Sequence, residues 1–148
     1  MPAPDHTYFM RQALRQALLA LESGEIPVGA VVVLGGRQVI GRGCNQTERL
    51  RDVTAHAEML ALTAAANFLG NKYLTDCTLY VTVEPCAMCA GAAYWSQLRS
   101  LVFGTQELKH GFRRHPGGLL HPRTTVVGGV LAEDCAGLMQ DFFNSLRK

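Results

Sequence analysis

Two short segments, His56-Ala57-Glu58 and Pro85-Cys86-Ala87-Met88-Cys89, most constrain what this chain can fold into. Cys86 and Cys89 are three positions apart, so on a helix they lie on one face. Two thiolates and one imidazole suit tetrahedral zinc, and three protein ligands leave the fourth position for water. We therefore predict that His56, Cys86 and Cys89 bind one zinc ion, which requires the fold to bring the two segments together.

Glu58 follows the predicted histidine ligand by two positions. A carboxylate at that spacing can reach a zinc-bound water, whose pKa falls to about 7, without itself binding the metal. Glu58 is therefore predicted to take a water proton and to pass it to a ring nitrogen and then to a leaving amine. H-x-E followed by P-C-x-x-C is a signature of zinc-dependent nucleobase deaminases.

Simpler interpretations of the cysteines stay open at this point. A C-x-x-C pair also occurs in redox loops and in structural zinc sites, where a fourth ligand closes the site. Because Cys86 and Cys89 lie near a predicted helix start, we expect the helix dipole to lower the pKa of both thiols. Cys77 and Cys135 are predicted to be ordinary buried thiols, and Cys44 to lie near the pocket without binding the metal.

Composition limits the class of protein. The chain has 148 residues, of which 48% are apolar and 18% charged, and these values are typical of one globular domain spanning residues 1–148. No apolar run is long enough to cross a membrane, and Met1–His6 lacks the pattern of a secretory signal. Five cysteines, an odd number, favour a reducing compartment, so we expect a cytoplasmic protein. The net charge of +2 is compatible with a nucleic-acid partner but does not imply one.

Hydrophobic periodicity and turn residues predict a single α/β domain with helices on both faces of a mixed sheet. Helices are predicted over Thr7–Ser23, His56–Phe68, Pro85–Gln97 and Ala132–Leu146, and strands over Val31–Leu34, Gln38–Gly41, Thr78–Val83, Arg99–Gly104 and Thr124–Val127. Thr54 is the expected cap of the second helix, and Pro85 is expected in the first turn of the third. The segments 46–54 and 105–123 are predicted to be loops.

The chain resembles the cytidine deaminase-like superfamily and, within it, the bacterial tRNA-specific adenosine deaminases. The resemblance covers nearly the whole sequence and rests on Glu25–Val33, Asn45, Asp52–Glu58, Thr78–Ala92, Val102–Gly104, Gly129–Cys135 and Asp141–Phe143. It implies a three-layer α/β/α fold with a mixed sheet of about five strands. It also implies a homodimeric hydrolase with one zinc per subunit, which converts adenosine to inosine at the wobble position of a tRNA anticodon.

The resemblance further assigns site residues by position. A flipped base needs one polar edge that is read and apolar faces that are packed. The Ala57 amide and the Asn45 side chain are expected to hold the base or its sugar. The remaining substrate contacts are expected at the pocket wall and beside a flanking base: Pro27, Val28, Ala30, Glu84, and Phe142 or Phe143.

The loop after Gly104 is where RNA is expected to be gripped. Glu107 stands where the family commonly has an aspartate, and it is followed by a basic stretch. The candidate RNA contacts in this loop are Glu107, Lys109, Arg113 and Arg114, and its basic residues form a rim that includes His115 and Arg123. The residues expected to extend this rim are Arg49, Arg51 and Lys72.

Two alternative functions remain, and one feature bears on assembly. Tyr94-Trp95 resembles deaminases of free guanine or cytosine, so a free base or nucleoside is the alternative substrate. A catalytically inactive, zinc-stabilised RNA-binding protein is the other alternative, which the presence of Glu58 argues against. Tyr94 and Trp95 also make the third long helix a candidate dimer surface.

Overall fold

A computed structural model describes residues 5–147, so the first four residues of the stretch predicted to lack a secretory signal lie outside the described part. In chain order the elements are α1 (His6–Glu22), β1 (Gly29–Leu34), β2 (Gln38–Cys44), α2 (Thr47–Leu50), α3 (Ala57–Leu69), β3 (Cys77–Val83), α4 (Ala87–Ser96), β4 (Ser100–Thr105), β5 (Thr125–Val127) and α5 (Ala132–Leu146). One 3₁₀ turn, Phe112–Arg114, interrupts the long loop between β4 and β5.

The five strands form one mixed sheet in the order β2-β1-β3-β4-β5. β1 pairs antiparallel with β2 and with β3, whereas β3, β4 and β5 run parallel. Every residue of β3 is buried, as expected for a central strand covered on both faces. The sheet confirms the predicted fold class of a mixed, five-stranded α/β protein.

Alternate residues of the central strands separate two cores, one on each face of the sheet. On one face Val31, Val33 and Tyr80 pack against α1 and against Cys135 of α5. On the other face Val32 and its neighbours pack against α3 and α4. The two buried layers produce the predicted three-layer α/β/α arrangement, because side chains point to opposite faces along a strand.

The helix α3 packs closely against β2. Ala57, Ala61 and Ala65, one per helical turn, are completely buried against the sheet. Opposite them, Gly41 and Gly43 lie so close to the backbone of α3 that an added Cβ would overlap helix atoms. Small residues on both sides therefore set the height of α3 above the sheet.

Three local predictions were wrong. Residues Thr47–Leu50 form the short helix α2 within a segment predicted to be a loop. Thr54 does not cap α3, because its hydroxyl donates to Asp52 and the helix begins only after His56. Pro85 precedes α4 instead of occupying its first turn, and its carbonyl accepts a hydrogen bond from Phe112 at 2.8 Å.

The Gly43→Ala substitution is expected to destabilise the protein by at least about 2 kcal/mol, because the added methyl group overlaps the backbone of α3. The matched control is Gly137→Ala in α5, where a Cβ meets open space and alanine is favoured over glycine in a helix by about 0.5–1 kcal/mol. Urea denaturation of both variants measures the two effects. Equal stability of the two variants would contradict the close contact.

Candidate metal centre

The predicted ligands are presented by the starts of two helices. His56 is the N-cap residue of α3 and Cys86 that of α4, and both have extended backbones. Neither side chain caps its own helix, so the imidazole and the thiol are available to another partner. Cys89 lies one turn further along α4 and is completely buried. His56 and Cys86 each directly precede a run of small helix-forming residues, so each lies at a helix start.

The geometry of the three side chains fits a tetrahedral zinc ion. The Nδ1 atom of His56 lies 3.7 Å from Sγ of Cys86 and 3.5 Å from Sγ of Cys89. Zinc–nitrogen and zinc–sulfur bonds of about 2.0 and 2.3 Å at a tetrahedral angle require a separation of about 3.5 Å between those atoms. All three ligand atoms lie within 4.8 Å of one another, and among the described residues no fourth His, Cys, Asp or Glu joins this group. The three side chains therefore suit a centre that keeps one open position.

Glu58 lies in the first turn of α3 and is 4% exposed. Burial raises the pKa of its carboxyl to about 7, although its own backbone N–H and the nearby His56 oppose this shift. A carboxyl group that titrates near neutral pH both accepts and donates a proton readily. The proton-shuttle role predicted for Glu58 requires a carboxyl group of this kind.

The pKa values of Cys86 and Cys89 shift in opposite directions, contrary to the expectation that both are lowered. The pKa of Cys86 is lowered to about 3, because Cys89 hydrogen-bonds to its sulfur and His56 lies alongside. The same hydrogen bond and the deeper burial of Cys89 raise the pKa of that thiol. The helix start therefore supplies one ready thiolate, and the second must lose its proton when a metal ion binds.

A cavity of about 750 Å³ opens beside these side chains. His56, Glu58 and Cys86 form part of its lining, and Ala57 contributes the first backbone N–H of α3, which has no partner within the helix. Of the other residues predicted to contact substrate, the cavity is lined by Val28, Asn45, Glu84, Glu107, Lys109 and Phe143. A polar floor and predominantly apolar walls are typical of a site for a planar heterocycle.

Five other residues that were predicted to contact substrate or RNA do not line the cavity. Ala30 is completely buried in the core beneath the site and Pro27 is also buried, so neither lines the cavity wall as predicted. Phe142 is buried as well, which leaves Phe143, 42% exposed, as the aromatic residue of α5 at the cavity. The guanidinium groups of Arg113 and Arg114 contact protein atoms, Glu84 and the Leu108 carbonyl respectively.

Sequence reasoning missed a buried carboxylate that holds α2, whose first residue Thr47 lines the cavity. Glu25 is 2% exposed, and its carboxylate accepts hydrogen bonds from the backbone N–H groups of Glu48 and Arg49 at 3.1 and 2.8 Å. It therefore fixes α2 beside Asn45, whose side chain bonds to Ile26 and Thr47. An acidic residue directly before the apolar stretch Ile26–Val28 was the available signal. Residues of α5 at the cavity, Ala136, Met139 and Gln140, were also missed.

Comparison with known proteins agrees with this geometry. The profile of the family described as "cytidine and deoxycytidylate deaminase zinc-binding region" matches residues 3–105. The chain belongs to this deaminase family. The match covers both metal-ligand segments and the strands that carry them, which confirms the resemblance found in the sequence.

Individual relatives of this deaminase include the tRNA-specific adenosine deaminase of Streptococcus pyogenes, 40% identical over 97% of this chain and 93% of the relative. A structure from a study of A-to-I editing by tRNA:A34 deaminases at the wobble position of transfer RNA superposes with a TM-score of 0.82 at 40% identity, covering 89% of this chain and 99% of that one. A guanine deaminase from Nitrosomonas europaea superposes with a TM-score of 0.79 at 26% identity, over 96% and 85% of the two chains.

The described residues of this deaminase contain no helix that is both long and apolar enough to cross a membrane. All five cysteines are free thiols, and Cys77 and Cys135 are buried as predicted.

Replacing Cys89 with serine is expected to lower zinc affinity by more than about 100-fold, because loss of a ligand exceeds the 10–100-fold effect of losing an outer-shell partner. Cys44→Ser is the matched control: that thiol is half-buried, lies outside the ligand group and is expected to leave affinity unchanged. Metal analysis after competition with a chelator measures both variants. Retention of zinc by the Cys89 variant, or its loss from the Cys44 variant, would exclude this ligand set.

Proposed function

We propose that this deaminase converts adenosine to inosine at the wobble position of a tRNA anticodon, using one zinc ion per subunit. The observation that carries the proposal is the placement of buried Glu58 beside His56, Cys86 and Cys89 at the floor of an open cavity. The likeness to tRNA-specific adenosine deaminases over nearly the full length of both chains supports the substrate. The five free thiols support the expected cytoplasmic location.

The roles of the residues follow from their places. Zinc, when bound by His56, Cys86 and Cys89, lowers the pKa of a coordinated water to about 7. Glu58 accepts a proton from the attacking water and delivers protons to the purine ring nitrogen and the departing amine, so that adenosine and water give inosine and ammonia. We propose that the Ala57 N–H and Asn45 hold the base or its sugar, while Val28 packs against it.

The size and rim of the cavity favour a nucleotide within a strand over a free base. A volume of about 750 Å³ leaves room beyond one purine, and Phe143 lies on the wall where a flanking base can stack. Lys109, beside Glu107 on the same wall, is placed to meet a phosphate. Tyr94 and Trp95, the residues that resemble free-base deaminases, do not line this cavity.

The substrate test compares an anticodon stem-loop carrying a wobble adenosine with guanine, cytosine and cytidine. We expect inosine in the RNA and no turnover of the free compounds. Glu58→Ala is expected to lower kcat by about 10²–10⁴-fold while zinc content is kept, because only the proton shuttle is removed. Turnover of a free base with inert RNA would favour the alternative substrate, and deamination that is unchanged in the Glu58 variant would exclude the proposed mechanism.

We also propose a homodimer that uses the exposed end of α4. Trp95 is 75% exposed and packs edge-on against Tyr94, with ring centroids 5.3 Å apart. A large exposed aromatic pair on an otherwise small-residue helix is typical of a protein interface.

Sedimentation of the wild-type protein at micromolar concentration is expected to give twice the 16.1 kDa mass of the chain. Trp95→Asp is expected to shift the protein toward the monomer, because a charge is then placed in an apolar interface. Leu18→Asp is the matched control, since Leu18 is 44% exposed on α1, which packs against the opposite face of the sheet from α4. A wild-type monomer, or equal dissociation of both variants, would contradict this interface.

A further inference from the structure

Glu84 is a buried carboxylate that the proposed chemistry does not use. It follows β3, stands two residues before the ligand Cys86, and its side chain is 1% exposed. One oxygen, Oε1, accepts the backbone N–H of Glu107 at 3.1 Å, and the other, Oε2, accepts that of Arg113 at 3.1 Å. The Nη2 and Nε atoms of Arg113 donate to the same two oxygens at 3.3 Å each. Together these donors stabilise the negative charge of Glu84, whose burial without partners would be energetically costly.

The two amides that Glu84 binds delimit one stretch of the long loop, residues 107–113, here called the rim loop. Within it Glu107, Leu108, Lys109 and His110 line the cavity. One carboxylate therefore holds both ends of the segment that forms this wall.

The rim loop is also pressed against the ligand segment. Phe112 is buried, its N–H donates to the Pro85 carbonyl at 2.8 Å, and Gly111 forms a β-bridge with Cys86. A Cβ on Gly111 would overlap the Glu84 carboxylate. The Arg113 guanidinium lies 4.7 Å from the centroid of the Phe103 ring, which is itself in the core. These contacts leave the loop little freedom to move apart from the metal centre.

We propose that Glu84 is a positioning residue, which presets the rim loop before substrate enters, and that Arg113 balances the charge of Glu84 instead of contacting RNA. The roles differ from those expected from sequence, where Glu84 was a substrate contact and Arg113 an RNA contact. The proposal rests on the proposed function only in stating that the preset wall receives RNA. Its consequence is that loss of either partner loosens residues 107–113 together.

The experiment measures hydrogen exchange of the zinc-loaded, full-length protein. Glu84→Gln and Arg113→Ala are each expected to speed exchange of the Glu107 amide by about tenfold or more, since each weakens one cluster of hydrogen bonds. The double variant is expected to exchange no faster than the quicker single variant, because both residues belong to one unit. Arg99→Ala is the control: it breaks an exposed ion pair with Asp76 and is expected to leave the rim loop unchanged.

A second measurement separates positioning from phosphate contact. The KM for the stem-loop is followed against salt for Arg113→Ala and for Lys109→Ala. We expect Arg113→Ala to raise KM more than it lowers kcat. The salt slope, meaning the slope of log KM against log salt concentration, is expected to stay at the wild-type value. Lys109→Ala is expected to reduce the slope by about 0.7, as for one lost phosphate contact. Arg113→Lys keeps the positive charge beside Glu84. Hydrogen-exchange protection of the rim loop at half or more of the wild-type value in this variant would agree with charge balance.

Unchanged exchange at residues 107–113 in both Glu84→Gln and Arg113→Ala would overturn the proposal, as would a reduced salt slope in Arg113→Ala with a rigid loop. If Glu84→Gln fails to fold, Arg113→Ala alone decides through the same readouts. Exchange needs no turnover, so an enzyme inactive on RNA would refute the proposed function and still test the positioning role.

Discussion

The close packing of α3 on the glycine-containing face of β2 determines where the metal centre forms. Gly41 and Gly43 allow the backbone of α3 to approach the sheet, and this contact fixes the position of His56 at the helix start. The parallel strands β3 and β4 place the start of α4, and with it Cys86, at the neighbouring point of the same edge. Side chains presented by the first turns of two helices thus meet at one point. The placement agrees with the general rule that sites lie at the carboxyl ends of parallel strands.

Burial then gives the centre its chemical properties. Glu58, Glu25 and Glu84 are all nearly inaccessible, but their surroundings differ. The carboxylates of Glu25 and Glu84 are satisfied by backbone N–H groups, and the hydrogen bonds from Arg113 help hold the pKa of Glu84 below its usual range despite burial. Glu58 has fewer such donors, and desolvation raises its pKa toward neutrality. Glu25 therefore holds α2 and Glu84 holds the rim loop, and the third carboxylate remains available to move protons.

The sequence was sufficient for the parts of this structure that rest on local signals. Periodicity located the four long helices, β-branched runs located the strands, and ligand chemistry joined His56 to Cys86 and Cys89. The sequence was insufficient where contacts between distant parts of the chain determine the local structure. The helix α2 exists because a carboxylate 23 residues earlier in the chain binds its first amides. Ala30 was assigned to the pocket by its position in a motif, yet the pleat of β1 turns its side chain into the core. The role of the rim loop depends on contacts with Glu84, which follows β3, and the loop itself has no periodic pattern.

X-ray absorption at the zinc edge tests the central claim most directly, because it counts the atoms bound to the metal. The account predicts two sulfur atoms at about 2.3 Å and two lighter atoms at about 2.0–2.1 Å, one from His56 and one from solvent. It also predicts that the same four neighbours persist when Glu58 is replaced by alanine, because that carboxylate acts on the solvent ligand and does not bind the metal. A third sulfur atom, a second imidazole, or a coordination shell that changes with Glu58 would contradict a three-residue centre with an open position.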